Sequence, residues 1–128
     1  MPELNDILVV DDEVPITEFI AAVLQEEGYA VRIVHDGASA LLQIIERPPC
    51  LVLLDIAMPV MVGDELLRYL RRKGFADLPV IIMTAGLHPE VYLSQGANDV
   101  LPKPFDMEVL LDKVARYMPP ADRAHTLG

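Results

Sequence analysis

Short apolar runs alternate with helical patterns along most of this chain. Runs of strand length occur at ILVV (7–10), AVRIV (30–34), CLVLL (50–54), PVIIM (79–83) and DVL (99–101), each too short for a buried helix. After the first, Ile16, Phe19, Ile20, Val23 and Leu24 share one helical face. Pro15 sits where a first turn tolerates it, and Gly28 stops the helix. A second helix is predicted from Ala38, Leu41, Leu42 and Ile45, closed by Arg47-Pro48-Pro49, and a third from Leu66, Leu67 and Leu70, with Arg71, Arg72 and Lys73 at its C-terminal end before Gly74. The last helical pattern is DMEVLLDKVARYM, 106–118. The least regular segment, TAGLHPEVYLSQGAN at 84–98, has room for about two turns of helix, with Pro89 in the first turn or ending it.

Strands alternating with helices imply parallel βαβ units, and strands covered on both faces explain why the runs are nearly continuous rather than alternating. A chain of 128 residues fits one domain with its own core. The final PPADRAHTLG has no periodicity and is expected to be a frayed end or the start of a linker.

Composition narrows the possible partners. With 52% hydrophobic and 23% charged residues the chain has the make-up of a soluble globule. A net charge of −10 argues against nucleic acid or an anionic membrane surface, which need basic patches, and suits a metal or a basic surface. A lone cysteine, Cys50, leaves no disulfide framework or thiolate metal site and fits a reducing cytosol. No basic start precedes an apolar stretch, and no segment approaches the roughly 18 apolar residues of a membrane span, so a soluble cytoplasmic protein is expected.

The polar residues at the strand ends carry the chemistry. Asp11 and Asp12 follow the first run, Asp55 the third and Thr84 the fourth, and Lys103 follows the fifth by two residues. Parallel strands bring them to one edge, and the carboxyl edge of an open α/β sheet is where ligands bind. Three carboxylates there repel by about 4 kcal/mol per pair at ~4 Å with an effective dielectric of ~20. Lys103 supplies one positive charge, and an oxygen-rich, His-poor and Cys-poor set selects a hard divalent ion, Mg2+ before Zn2+. Acids, a cation, an ammonium and a hydroxyl are also the inventory for phosphoryl transfer, in which a carboxylate can be the nucleophile.

Taken singly, each of these residues has a plainer role: Asp11, Asp12 and Asp55 as caps or turns, Thr84 as a turn hydroxyl, Lys103 as surface. Convergence of five at one edge favours the site. His35 also follows a strand, but no second histidine lies near it in sequence, so a ligand role is not assigned. Arg71, Arg72 and Lys73 are read as a solvated helix end.

The ordered set of motifs resembles the receiver domain of two-component response regulators over residues 5–118, leaving 119–128 as the tail. The motifs are Asp11-Asp12, DIAMPVMVG from Asp55 to Gly63, TAG at Thr84 to Gly86, and GANDVLPKPF from Gly96 to Phe105. The resemblance implies a doubly wound, five-stranded parallel sheet of flavodoxin-like order 2-1-3-4-5. It implies that Asp55 accepts a phosphoryl group from a histidine kinase or phosphotransfer protein. Mg2+ is then held by Asp11, Asp12, Asp55 and the carbonyl of Ala57. Thr84, Lys103 and the amides of Ala57 and Ala85 face the phosphoryl oxygens, and the Lys103-Pro104 bond is cis. Thr84 and position 100 form the switch.

Two departures fall on the output side. The family usually has Tyr or Phe where this chain has Val100. From Thr84 to Lys103 is 19 positions, about three fewer than usual and close to one helical turn, which implies a shortened fourth helix. The second acid that aspartate-nucleophile phosphatases of related topology carry two residues after the nucleophile is here Ala57, so turnover on an external substrate is disfavoured. The expected function is a phosphorelay receiver acting on a downstream protein by contact, as a monomer or a weak phosphorylation-dependent dimer. The alternative is a binding module of the same fold that is insensitive to phosphorylation.

Overall fold

A computed structural model of the chain describes residues 6–56 and 63–118. The strands are β1 (Asp6–Val10), β2 (Ala30–Val34), β3 (Leu51–Asp55), β4 (Val80–Thr84) and β5 (Asp99–Pro102). The helices are α1 (Val14–Glu26), α2 (Gly37–Glu46), α3 (Gly63–Arg72), α4 (Val91–Ser94) and α5 (Met107–Tyr117). All strand pairs are parallel, in the order β2-β1-β3-β4-β5, as expected. Ala57, the Met58-Pro59 step and the tail 119–128 lie outside the described residues.

The sheet divides two cores by the twofold alternation of strand side chains. Ile7, Val9, Leu51, Leu53, Ile81 and Met83 face α1 and α5, meeting Ile20, Leu24, Leu110 and Val114. Leu8, Val10, Val52, Leu54, Val80 and Ile82 face the other layer, meeting Ala40 and Ile44 of α2 and Leu66, Leu67 and Leu70 of α3. Every residue of β1, β3 and β4 is buried, which is why their sequences read as unbroken apolar runs.

Three expectations are corrected. Asp55 and Thr84 are the last residues of β3 and β4 rather than the residues after them. Asp55 is paired with Met83 and Thr84 with Pro102, so both belong to the rigid ladder. Phe19 is 46% exposed despite its place on the predicted face. On α2, Leu42 and Ile45 are 61% and 51% exposed, and the buried set is Gly37, Ala40 and Ile44.

The predicted set, Ala38, Leu41, Leu42 and Ile45, has the same spacing one position later, a rotation of about 100°. The helix settles with its two smallest residues, Gly37 and Ala40, against the sheet, after a cap in which Asp36 accepts from the Ser39 amide at 2.7 Å. Accordingly, Ile44→Ala is expected to cost about 2–5 kcal/mol, while Ile45→Ala stays within about 0.5 kcal/mol of wild type. Urea unfolding midpoints of the two variants check this, and the reverse ranking would refute the assigned face.

The fourth helix is one turn, shorter than the two turns its segment allows. Pro89 lies ahead of it, its carbonyl accepting from the Tyr92 amide at 3.2 Å. Gly96, at φ +108°, turns the chain toward β5.

Candidate functional site

The connection after β1 builds the floor of an acid pocket. Asp11 is fully buried, its amide donating to the Val34 carbonyl at 3.2 Å. Its own carbonyl lies 2.9 Å from His35 Nδ1; a carbonyl only accepts, so that nitrogen carries the proton. The Glu13 amide donates to Asp11 Oδ1 at 2.9 Å, which orients the carboxylate. Asp12, next in the chain, is exposed at the rim. Asp55 arrives on β3 only 4% exposed.

Carboxylate oxygens of Asp11, Asp12 and Asp55 all lie within 4.8 Å of one another. These are hard oxygen donors with neither imidazole nor thiolate among them, a donor set that fits Mg2+.

Lys103 reaches the same point from the loop after β5. Its Nζ donates to Asp11 Oδ2 at 2.9 Å and lies 3.4 Å from Asp55 Oδ1. Burial alone would lower its pKa, but the hydrogen bond from Asp11 and the charges of Asp55 and Asp11 outweigh it and hold the ammonium above its ordinary value. The Lys103 amide donates to the Thr84 carbonyl at 2.7 Å, and the Lys103-Pro104 peptide is cis.

Thr84 is 3% exposed. Its hydroxyl oxygen accepts from the Gly86 amide at 3.0 Å, which leaves the hydroxyl proton to be given elsewhere. Ala85, beside it, is exposed. Val100 is half-buried against the core on the α2–α3 side; its side chain belongs to that layer rather than to the pocket.

Two residues near the site were not singled out from sequence. Glu13 places Oε1 4.0 Å from Lys103 Nζ while 61% exposed. Its only sequence signal is adjacency to the acidic pair. Gly86 leaves room for Thr84, since a Cβ there would stand 3.3 Å from the hydroxyl oxygen. Beside the pocket lies an apolar cavity of about 380 Å³ lined by Pro15, Ile16, Phe19, Ala85, Lys103, Pro104 and Phe105. The exposure of Phe19 follows from its place in that wall.

A parallel doubly wound sheet presenting three clustered acids, a buried hydroxyl and an ammonium at its carboxyl edge defines an α/β acid-pocket protein. The chain belongs to the response regulator receiver domain family, whose model matches residues 7–115.

Response regulator MprA of Mycobacterium bovis (strain BCG / Pasteur 1173P2) is 39% identical over 128 residues, covering 95% of this chain and 55% of the relative. The protein of that name from Mycobacterium ulcerans (strain Agy99) is 41% identical over 111 residues, covering 84% and 47%. The chain spans about half the length of these curated relatives. Among solved structures, chemotaxis response regulator CheY4 of Vibrio cholerae superposes with a TM-score of 0.83 at 30% identity, covering 91% of this chain and 100% of that one. The receiver domain of NtrX from Brucella abortus gives 0.82 at 35%, covering 88% and 97%.

Two-component signalling, phosphorylation and Mg2+ are features of this family. Among the described residues no helix is long and apolar enough to cross a membrane.

Proposed function

We propose that Asp55 is the phosphoacceptor of a two-component relay, charged by a phosphohistidine on a histidine kinase or phosphotransfer protein. The observation that carries this reading is the convergence of Asp11, Asp12 and Asp55 within 4.8 Å, with Lys103 Nζ 3.4 Å from the Asp55 carboxylate.

In the transfer, an Asp55 carboxylate oxygen attacks phosphorus and the new O–P bond forms as the P–N bond to imidazole breaks. The imidazole leaves and takes up a proton. Lys103 exchanges its Asp55 contact for the phosphoryl oxygens, and the Thr84 hydroxyl and the Ala85 amide donate to the same group. Mg2+, when held by Asp11, Asp12, Asp55 and the carbonyl of Ala57, supplies neutralising charge to the carboxylates and the transferring oxygens. The Ala57 ligand is proposed from the sequence motif, since that residue is outside those described.

The donor protein docks on the apolar cavity between α1 and the loop after β5, where Phe19 is 46% and the neighbouring Val14 48% exposed. Output to a downstream protein is by contact, with no direct nucleic-acid or membrane binding. The relay is read as cytoplasmic. Net hydrolysis of an outside substrate is disfavoured because the position two after Asp55 is alanine.

Incubation with a small acyl phosphate and Mg2+ is expected to add one phosphoryl mass to the intact protein, and Asp55→Ala to add none. Labelling that persists in the variant would overturn the assignment. A second reading, a module that binds partners regardless of phosphorylation, is favoured by a half-buried Val100 and a one-turn α4 with no buried residue. Amide exchange that is identical over 91–117 with and without beryllium fluoride and Mg2+ would select it.

A further inference from the structure

At the sheet edge opposite the acid pocket lies a second polar network, centred on Arg71 in the last turn of α3. Its Nε donates to the Gly96 carbonyl at 2.9 Å, one terminal nitrogen to the Phe75 carbonyl at 2.7 Å, and the other to Asn98 Oδ1 at 3.0 Å. All three acceptors are neutral. The arginine is therefore no solvated helix end but a three-pronged clamp, joining α3 to the connection between α4 and β5. Burial lowers its pKa against the opposing charge of Asp77. Gly96 accommodates the stem, because a Cβ at that position would lie 3.1 Å from Arg71 Cγ.

The network continues past the arginine. Asn98 grips the first residue of β4 from both sides: its Oδ1 accepts from the Val80 amide at 2.9 Å, and its own amide donates to the Val80 carbonyl at 2.9 Å. The Asn98 carbonyl accepts from the Tyr117 hydroxyl at 2.9 Å. Asp99, the first residue of β5, accepts from Lys113 at 2.9 Å and lies 3.6 Å from Arg116. An unbroken chain of hydrogen bonds and ion pairs thus runs from the end of α3 through Gly96, Asn98 and Asp99 to the last turns of α5. At its other end α3 begins at Gly63, eight positions after Asp55. Three fully buried leucines, Leu66, Leu67 and Leu70, bind the helix into one rigid body about 15 Å long.

We infer that Arg71 is a positioning residue that carries the state of the Asp55 pocket, through α3 as a lever, to the α4–β5 connection and α5. The inference rests on the phosphoacceptor reading and deepens it by naming the route. β5 carries no aromatic side chain at position 100, so the face formed by α4, β5 and α5 is moved from below, through the clamp.

The test is amide hydrogen exchange of the whole chain with and without Mg2+ and beryllium fluoride, in wild type, Arg71→Lys and Tyr117→Phe. In wild type, exchange changes around the pocket (84–86 and 103–105) and also over 91–101 and 107–117. Arg71→Lys keeps the charge and stem but loses the fork. Its pocket response stays, while the response over 91–101 and 107–117 falls at least about fivefold, the lower bound of an allosteric coupling. Tyr117→Phe, which removes one hydroxyl from the far end, loses the response over 107–117 and keeps that over 91–101. Acyl phosphate labels all three proteins at the same rate.

A distal response of wild-type size in Arg71→Lys overturns the inference, as does a loss that includes the pocket, which would mark the clamp as merely structural. A wild type that responds only at the pocket overturns the inference and leaves the phosphoacceptor standing. Absence of both labelling and pocket response in wild type sinks the phosphoacceptor reading and the inference together.

Discussion

Lys103→Met is expected to lower folding stability by about 3–5 kcal/mol, the cost of removing one partner from a buried ion pair. The geometry decides the sign. Lys103 Nζ lies 2.9 Å from Asp11 and 3.4 Å from Asp55, and those residues are 0% and 4% exposed. At an effective dielectric of about 20, each such contact attracts by about 5 kcal/mol, whereas two carboxylates ~5 Å apart repel by about 3 kcal/mol. Loss of the lysine removes both attractions and leaves the repulsion, whereas Asp55→Asn removes one attraction together with a repulsion, and its net effect is near zero.

The pH dependence follows from the raised pKa of Lys103. A cation whose folded value exceeds its unfolded value contributes fully below the unfolded value, about 10.4, and the contribution is lost as pH rises through the folded one. The gap between wild type and Lys103→Met is therefore complete at neutral pH and closes only in strong alkali. Urea melts at pH 7 measure it, and a wild-type midpoint in the variant would refute the pairing.

The second large effect is stabilisation by Mg2+. An ion that binds only the folded state at a hundred times its Kd adds about 2.7 kcal/mol, a rise in Tm of about 4 °C for a chain of this size. Asp12→Ala is the sharpest probe, because Asp12 is an exposed member of the acid cluster. Its removal is expected to change the metal-free stability by no more than about 0.5 kcal/mol while abolishing most of the Mg2+ shift. Thermal melts with and without the ion read both quantities, and an undiminished shift in the variant would show that the ion binds elsewhere.

The position of the pocket was legible because it depends on strand type rather than on strand limits. Asp11, Asp55, Thr84 and Lys103 lie at or next to the ends of continuous apolar runs, and a parallel sheet gathers such positions whether a strand stops one residue earlier or later. Periodicity could not choose between the two faces of α2, since the sets at 37, 40, 44 and at 38, 41, 45 share one spacing. The choice came from how closely Gly37 and Ala40 approach the sheet, a packing fact. Arg71 satisfied the general preference for cations at helix ends and so drew no attention. Its acceptors on Phe75, Gly96 and Asn98 lie up to 27 positions away, and no local pattern signals them. The shortening around α4 was visible as missing residues, but its extent was set by where Pro89 and Gly96 turn the chain.

That one-turn α4 makes for an uneven energetic landscape. None of its four residues is buried, whereas α3 sinks three leucines completely, each worth about 1.5–3 kcal/mol of transfer free energy. Reshaping the border beside β5 consequently forfeits little stability, and sequence drift there can retune which protein is recognised while the acidic machinery stays untouched.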